Sequence, residues 1–307
     1  MIENATARTK PISVRCVNTV LGLPPACPRF ILYRQDQGER EMRNLLIIAA
    51  LASMPVLAGC SSNKQSEAEA PANEYSARQY MQAINDISRM DDQEQDAARK
   101  PGELLAFAQI DRGDVVGDFI MGGGYVTRLL ATAVGADGRV YAFQPDEFIG
   151  FNPDYAQDQD DTVRRYSDDD GNPVTVFPLR APLTQPGWPE PLDTIITVMN
   201  FHDLYLDQFP EGTADAAAAM LFDALKPGGT LVVVDHLAAD GAGAEAANTL
   251  HRMDADLALA TLTAAGFEMD AESDLYARPD DPRDENVFEA TIRGRTDQFA
   301  WRLRKPQ

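Results

Sequence analysis

The chain contains three histidines, His202, His236 and His251. They lie in Asn200-Phe201-His202-Asp203, in Val234-Asp235-His236 and in Leu250-His251-Arg252-Met253-Asp254. Imidazole exchanges a proton near neutral pH, so such a residue can act as general base toward an oxygen or nitrogen nucleophile. One reading makes His202 or His236 that base, oriented by Asp203 or Asp235. The plain alternative for any one of them is a histidine that caps a strand end. His202, Asp203, Asp235 and His236 could instead ligate a divalent ion. No HxH or HExxH spacing is present, so this reading ranks lower and no metal is expected. The absence of a GxSxG elbow argues against a Ser-His-Asp hydrolase.

A second chemical feature is Gly122-Gly123-Gly124, which follows the apolar run Asp114-Val115-Val116-Gly117-Asp118-Phe119-Ile120. Strand, glycine cluster and helix in succession let backbone approach a ligand closely and aim helix amides at it. Other features are plainer. Asp158–Asp161 and Asp168–Asp170 read as solvated faces without the spacing of a calcium loop. Trp188, Tyr205 and Tyr276 read as core or rim residues, with an apolar substrate pocket as the rarer role. Asp254 and Asp256 face either the cleft or the helix surface.

These residues need a scaffold, and the pattern supplies one. Residues 76–98 are helical in pattern but very polar, and Pro101 opens a short helix through Phe107. Strands are expected at 114–120, 138–143, 174–177, 192–199 and 230–235, and near 267–272 and 299–304. Helices are expected at 125–134, 213–225 and 248–265, the last carrying His251 on its first turns. Short apolar strands separated by helices indicate a parallel sheet covered on both faces. Ligands of such sheets bind beyond the carboxyl ends of the strands, where His202 and His236 fall.

From about Pro101 onward the sequence resembles the class I S-adenosylmethionine-dependent methyltransferases, in particular a bacterial group of predicted methyltransferase lipoproteins. The resemblance rests on Val116 to Leu130, on Leu225-Lys226-Pro227-Gly228-Gly229-Thr230-Leu231 and on Leu250 to Asp254 with the terminal strand pair. It implies a Rossmann-like three-layer α/β sandwich with a seven-stranded, mostly parallel sheet in the order 3-2-1-4-5-7-6, strand seven antiparallel. It also implies S-adenosylmethionine as cofactor, held by Asp118, Gly122, Gly123, Gly124, Gln144 and Asn200. The acceptor would be a small molecule near His202, His236, Asp203 and His251. The sequence departs from the family pattern at three places. Ile120 and Met121 replace the start of the glycine run, Gln144 stands where an acid accepts the ribose hydroxyls, and Arg180-Ala181 follow strand three. A neutral amide accepts more weakly than a carboxylate. The alternative function is therefore a non-catalytic ligand-binding lipoprotein on a methyltransferase scaffold.

The amino-terminal part reads as a targeting device. Arg43 precedes an apolar run from Leu45 to Ala58, too short to span a bilayer, which ends in Leu57-Ala58-Gly59-Cys60. The ending resembles a lipobox, with Cys60 as the lipid-modified residue. Residues 1–41 read as an upstream extension, 42–60 as a lipoprotein signal peptide, 61–75 as a polar tether and 76–307 as the methyltransferase-like domain. This places the protein in the cell envelope, facing the periplasm and membrane-attached through Cys60; Ser61 points to the outer membrane. The formal charge of −21 disfavours phosphate backbones, so no nucleic-acid partner is expected.

Overall fold

The computed structural model describes residues 75–307; the expectations for residues 1–74, the lipidated Cys60 among them, lie outside the described residues. Seven strands form one sheet: β1 (Val115–Phe119), β2 (Arg139–Pro145), β3 (Val176–Ala181), β4 (Leu192–Val198), β5 (Leu225–His236), β6 (Glu268–Ser273) and β7 (Gln298–Arg304). Their order is β3-β2-β1-β4-β5-β7-β6. All pairs are parallel except those of β7, which runs antiparallel to β5 and β6. This is the Rossmann-like methyltransferase fold that the resemblance implied.

Burial follows from position in the sheet. Every residue of β1 is buried, whereas β6 at one edge is largely exposed. Along β5, Leu231 and Val233 pack into one apolar layer and Val232 and Val234 into the other, as the two-residue strand period requires. The first layer is completed by Leu221 of α7 (Thr213–Ala224) and Leu262 of α9 (Ala255–Ala264). The second contains Leu104 and Leu105 of α3 (Pro101–Ala108) and Leu129 and Leu130 of α4 (Tyr125–Val134).

Several elements differ from expectation for local reasons. Residues 76–98 fold into short helical turns, α1 (Met81–Ile84) and the start of α2 (Asp96–Arg99) among them, not one helix, because Asp86 caps the backbone N–H of Ser88 and Arg89 turns inward to Asp96. Strand three begins and ends later than expected, continuing through Pro178, which an edge strand tolerates because one row of its amides has no ladder partner. Lys226-Pro227-Gly228-Gly229 lies inside β5. The acidic run 158–161 belongs to α6 (Asp154–Arg165), which follows α5 (Asp146–Phe151). The expected helix 248–265 is split into α8 (Glu245–Leu250) and α9. Asp254 caps the second piece by accepting from the Leu257 N–H, and so faces neither cleft nor solvent. His251 therefore sits in the break and not on a helix turn.

Chain order sends β1, β2 and β3 one way from the centre and β4 and β5 the other. The crevice between β1 and β4 is the switch point at which such sheets bind ligands. One side of that region is closed by the segment between β6 and β7. Arg252, fully buried, donates both terminal nitrogens to Asp281 and its Nε to the Glu285 carbonyl. Breaking one partner of a buried ion pair strands the other charge. Arg252→Met is expected to lower the unfolding free energy at pH 7 by about 3–5 kcal/mol, measured by urea denaturation.

Candidate active site

A cavity of about 740 Å³ opens at the carboxyl ends of β1, β4 and β5. Asp118, Gly122, Gly123 and Asn200 line it, and so do His202, Asp203, His236 and His251. The topology thus brings together eight of the residues singled out in the sequence. Gly124 and Gln144 are not on the wall. A Cβ at Gly124 would meet Arg128 Nη1 and Thr162 Oγ1 at 2.7 Å, so this glycine serves helix packing. Gln144 is fully buried and neither atom of its amide has a partner. The acceptor role implied for it toward a ribose has no access to the cavity.

The β1 turn is built on backbone strain. Ile120 has φ +65°, the left-handed region that a β-branched side chain rarely enters. It stands at the departure from the family's glycine pattern and adopts the conformation a glycine would take freely. Its carbonyl accepts from Asn200 Nδ2 at 2.9 Å, which ties the end of β1 to the end of β4. Gly122 follows at φ +53°, and a Cβ there would meet nothing within 4 Å. The turn therefore leaves an open cradle on the cavity side. Beside it, Asp118 accepts from Thr127 Oγ1 at 2.5 Å.

The histidine cluster is organised by a carboxylate. Asp235 is fully buried and accepts from the backbone N–H groups of His202 and His236, at 2.6 and 2.7 Å. Its Oδ1 lies 2.8 Å from His202 Nδ1. A carboxylate only accepts, so Nδ1 carries the proton and Nε2 faces Asp203 Oδ1 at 3.4 Å. Burial alone would favour the neutral ring, but attraction to Asp235 and its hydrogen bond outweigh it and push the His202 pKa up to about 9. Burial lowers that of His236 to about 4, so this ring is neutral at pH 7. Its Nδ1 pairs with Thr296 Oγ1 at 2.7 Å. Burial also raises Asp203 to about 6. His251, at φ +51°, sets its ring perpendicular to that of His202 with centroids 5.6 Å apart. The structure thus gathers His202, Asp203 and His251 as possible metal ligands, a different set from the one weighed in the sequence.

Other parts of the wall were not foreseen. Phe148, Phe151 and Tyr155 form an aromatic side after β2, and Phe288 stands behind His251. Two aromatics three residues apart directly after strand two were the available signal. The opposite side comes from the turns before α3, through Asp92, Gln95 and Arg99. Asp92 binds Arg128 with both oxygens, at 2.6 and 2.7 Å. Arg99 lies over the Tyr125 ring at 4.6 Å and makes no ion pair among the described residues. Tyr276 lines the cavity and donates to the Arg99 carbonyl. Trp188 packs into the core against Phe143, and the Tyr205 hydroxyl is bound to Thr261. Arg180 turns away to Gln159 and Asp160 of α6.

Asp118 yields a pH prediction. Burial, opposed by the Thr127 bonds and Arg128, raises its pKa from 3.8 to about 6. The folded state therefore holds this proton more tightly than the unfolded chain, and the stability it contributes is lost as pH rises from about 4 to 6. The shift corresponds to roughly 3 kcal/mol. Asp118→Asn is expected to gain about that much stability relative to wild type between pH 4 and pH 7, measured by denaturant unfolding at both pH values.

No family model matches the sequence, and no curated protein matches it. Solved structures are similar in fold. A SAM-dependent methyltransferase from Aquifex aeolicus is 17% identical with a TM-score of 0.46, the match covering 72% of this chain and 98% of that one. The arsenic (III) S-adenosylmethionine methyltransferase of Chlamydomonas reinhardtii is 13% identical with a TM-score of 0.44, over 64% of this chain and 65% of that one. Fibrillarin of Aeropyrum pernix, with natively bound S-adenosyl-L-methionine, is 17% identical with a TM-score of 0.41, over 68% and 76%.

Proposed function

We propose that the domain binds S-adenosylmethionine in the β1–β4 crevice and transfers its methyl group to a small-molecule acceptor. The observation that carries this reading is the Gly122 cradle, open toward the cavity at the switch point of a sheet with this strand order. Asp118, Gly122, Gly123 and Asn200 would hold the cofactor, with Phe148 and Tyr155 as a stacking wall and Arg99 as a cation for its carboxylate. When bound, the sulfonium supplies the electrophilic methyl group. The protein's contribution is then positioning and removal of the acceptor proton. His236 is neutral at pH 7 and would take that proton on Nε2 in the tautomer whose Nδ1–H donates to Thr296 Oγ1.

A second reading, a ligand-binding domain without transfer activity, is favoured by Gln144, which is sealed away from the place a ribose acceptor would occupy. Calorimetric titration of the full-length protein with S-adenosylmethionine and S-adenosylhomocysteine separates the two. Micromolar binding, weakened at least about tenfold by Gly122→Val, is expected. A folded protein that binds neither compound would support the second reading instead.

The same proposal places the protein in the cell envelope through a lipid on Cys60, on the strength of the Leu57 to Cys60 ending alone. Detergent phase partitioning of the protein made in a bacterium tests it. The wild type is expected in the detergent phase and Cys60→Ser in the aqueous phase.

A further inference from the structure

At the carboxyl ends of β4 and β5 the methyl-transfer reading leaves one arrangement unused. His202, Asp203 and His251 each offer one ligand atom, and these atoms lie within 4.8 Å of one another. His202 Nε2 and Asp203 Oδ1 are 3.4 Å apart, close to the separation of two donors on one ion at bond lengths of about 2.0–2.2 Å.

The surroundings of the trio are those of a ligating histidine. A metal-bound imidazole commonly donates its other N–H to a carboxylate, which fixes its tautomer and orientation. Asp235 stands in that place toward His202 Nδ1 and is itself held by two backbone amides. The rings of His202 and His236 each hold a hydrogen bond, whereas that of His251 holds none among the described residues. It nonetheless stands 5.6 Å from the His202 ring on a left-handed backbone that a non-glycine residue rarely adopts.

We propose that His202, Asp203 and His251 form a site for a divalent first-row transition-metal ion on the inner wall of the cavity. Two imidazoles and one carboxylate suit such ions, the ion displacing to solvent the proton on His202 Nε2, and three protein ligands leave further positions open. His236 stays outside the set, its ring centroid 6.1 Å from that of His202 and its Nδ1 engaged by Thr296. On the methyl-transfer reading an acceptor oxygen would enter an open position; the metal site itself does not depend on that reading.

The test uses the full-length protein, stripped with a chelator and titrated with Co(II) while visible absorption is recorded. One equivalent should produce ligand-field bands without thiolate charge transfer, since the proposed ligands are two imidazoles and one carboxylate. Asp203→Asn and His251→Gln should each weaken uptake about 100-fold, and Asp235→Asn about 10- to 100-fold, with circular dichroism confirming the fold. His251 is partly exposed, so its variant is expected to fold. No uptake by folded protein, a thiolate band, or uptake unchanged in both ligand variants would overturn the proposal. S-adenosylmethionine binding is measured separately, so either signal can fail without the other.

Discussion

A single carboxylate holds the functional edge of this sheet together. Asp235, the last residue but one of β5, is fully buried and takes hydrogen bonds from two backbone amides and one imidazole. A charge this deep is tolerable only when its lone pairs are met by donors, and those donors are His202 in the loop after β4 and the backbone N–H of His236 at the end of β5. The attraction to His202 keeps Asp235 ionised despite burial. Two neighbouring strands are thereby locked in relative position at the point where they deliver His202, Asp203 and His236 to the cavity.

Backbone strain is concentrated at the same place. Among the described residues six non-glycine positions have positive φ, and Ile120, Met199 and His251 are three of them, all on the cavity wall. Each stands at the end of a strand or in a helix break, where surrounding contacts over-determine the backbone. Ile120 is clamped by Asn200, and Met199 donates its N–H to the Val234 carbonyl at 2.7 Å. Such strain survives where packing enforces it, and it pre-sets the positions of groups that a ligand meets.

What could be read in the sequence follows the range of the forces involved. The helix Tyr125–Val134 was expected at its observed limits because its apolar spacing and glycine start are local signals. The seven strands were expected in type, and their order followed from the family resemblance. Strand three was misplaced because Pro178 reads as a stop unless the strand is known to lie at an edge. Residues 76–98 read as helical in pattern but very polar, and the sequence does not show that Asp92 and Asp96 find partners in Arg128 and Tyr125, about thirty or more positions away. His202 and His236 were expected to meet, as neighbouring strand ends must. The approach of His251 to His202 depends on a broken helix and a left-handed residue, for which the sequence carries no period.

The turns that carry Asp92 and Arg99 form one face of the cavity and are fastened to α4 by the two-pronged contact with Arg128. That contact is buried and charge-assisted, so separating it exposes two charges at once. A wall fastened in this way is in place before any molecule arrives, so the cost of ordering it falls on folding and not on binding.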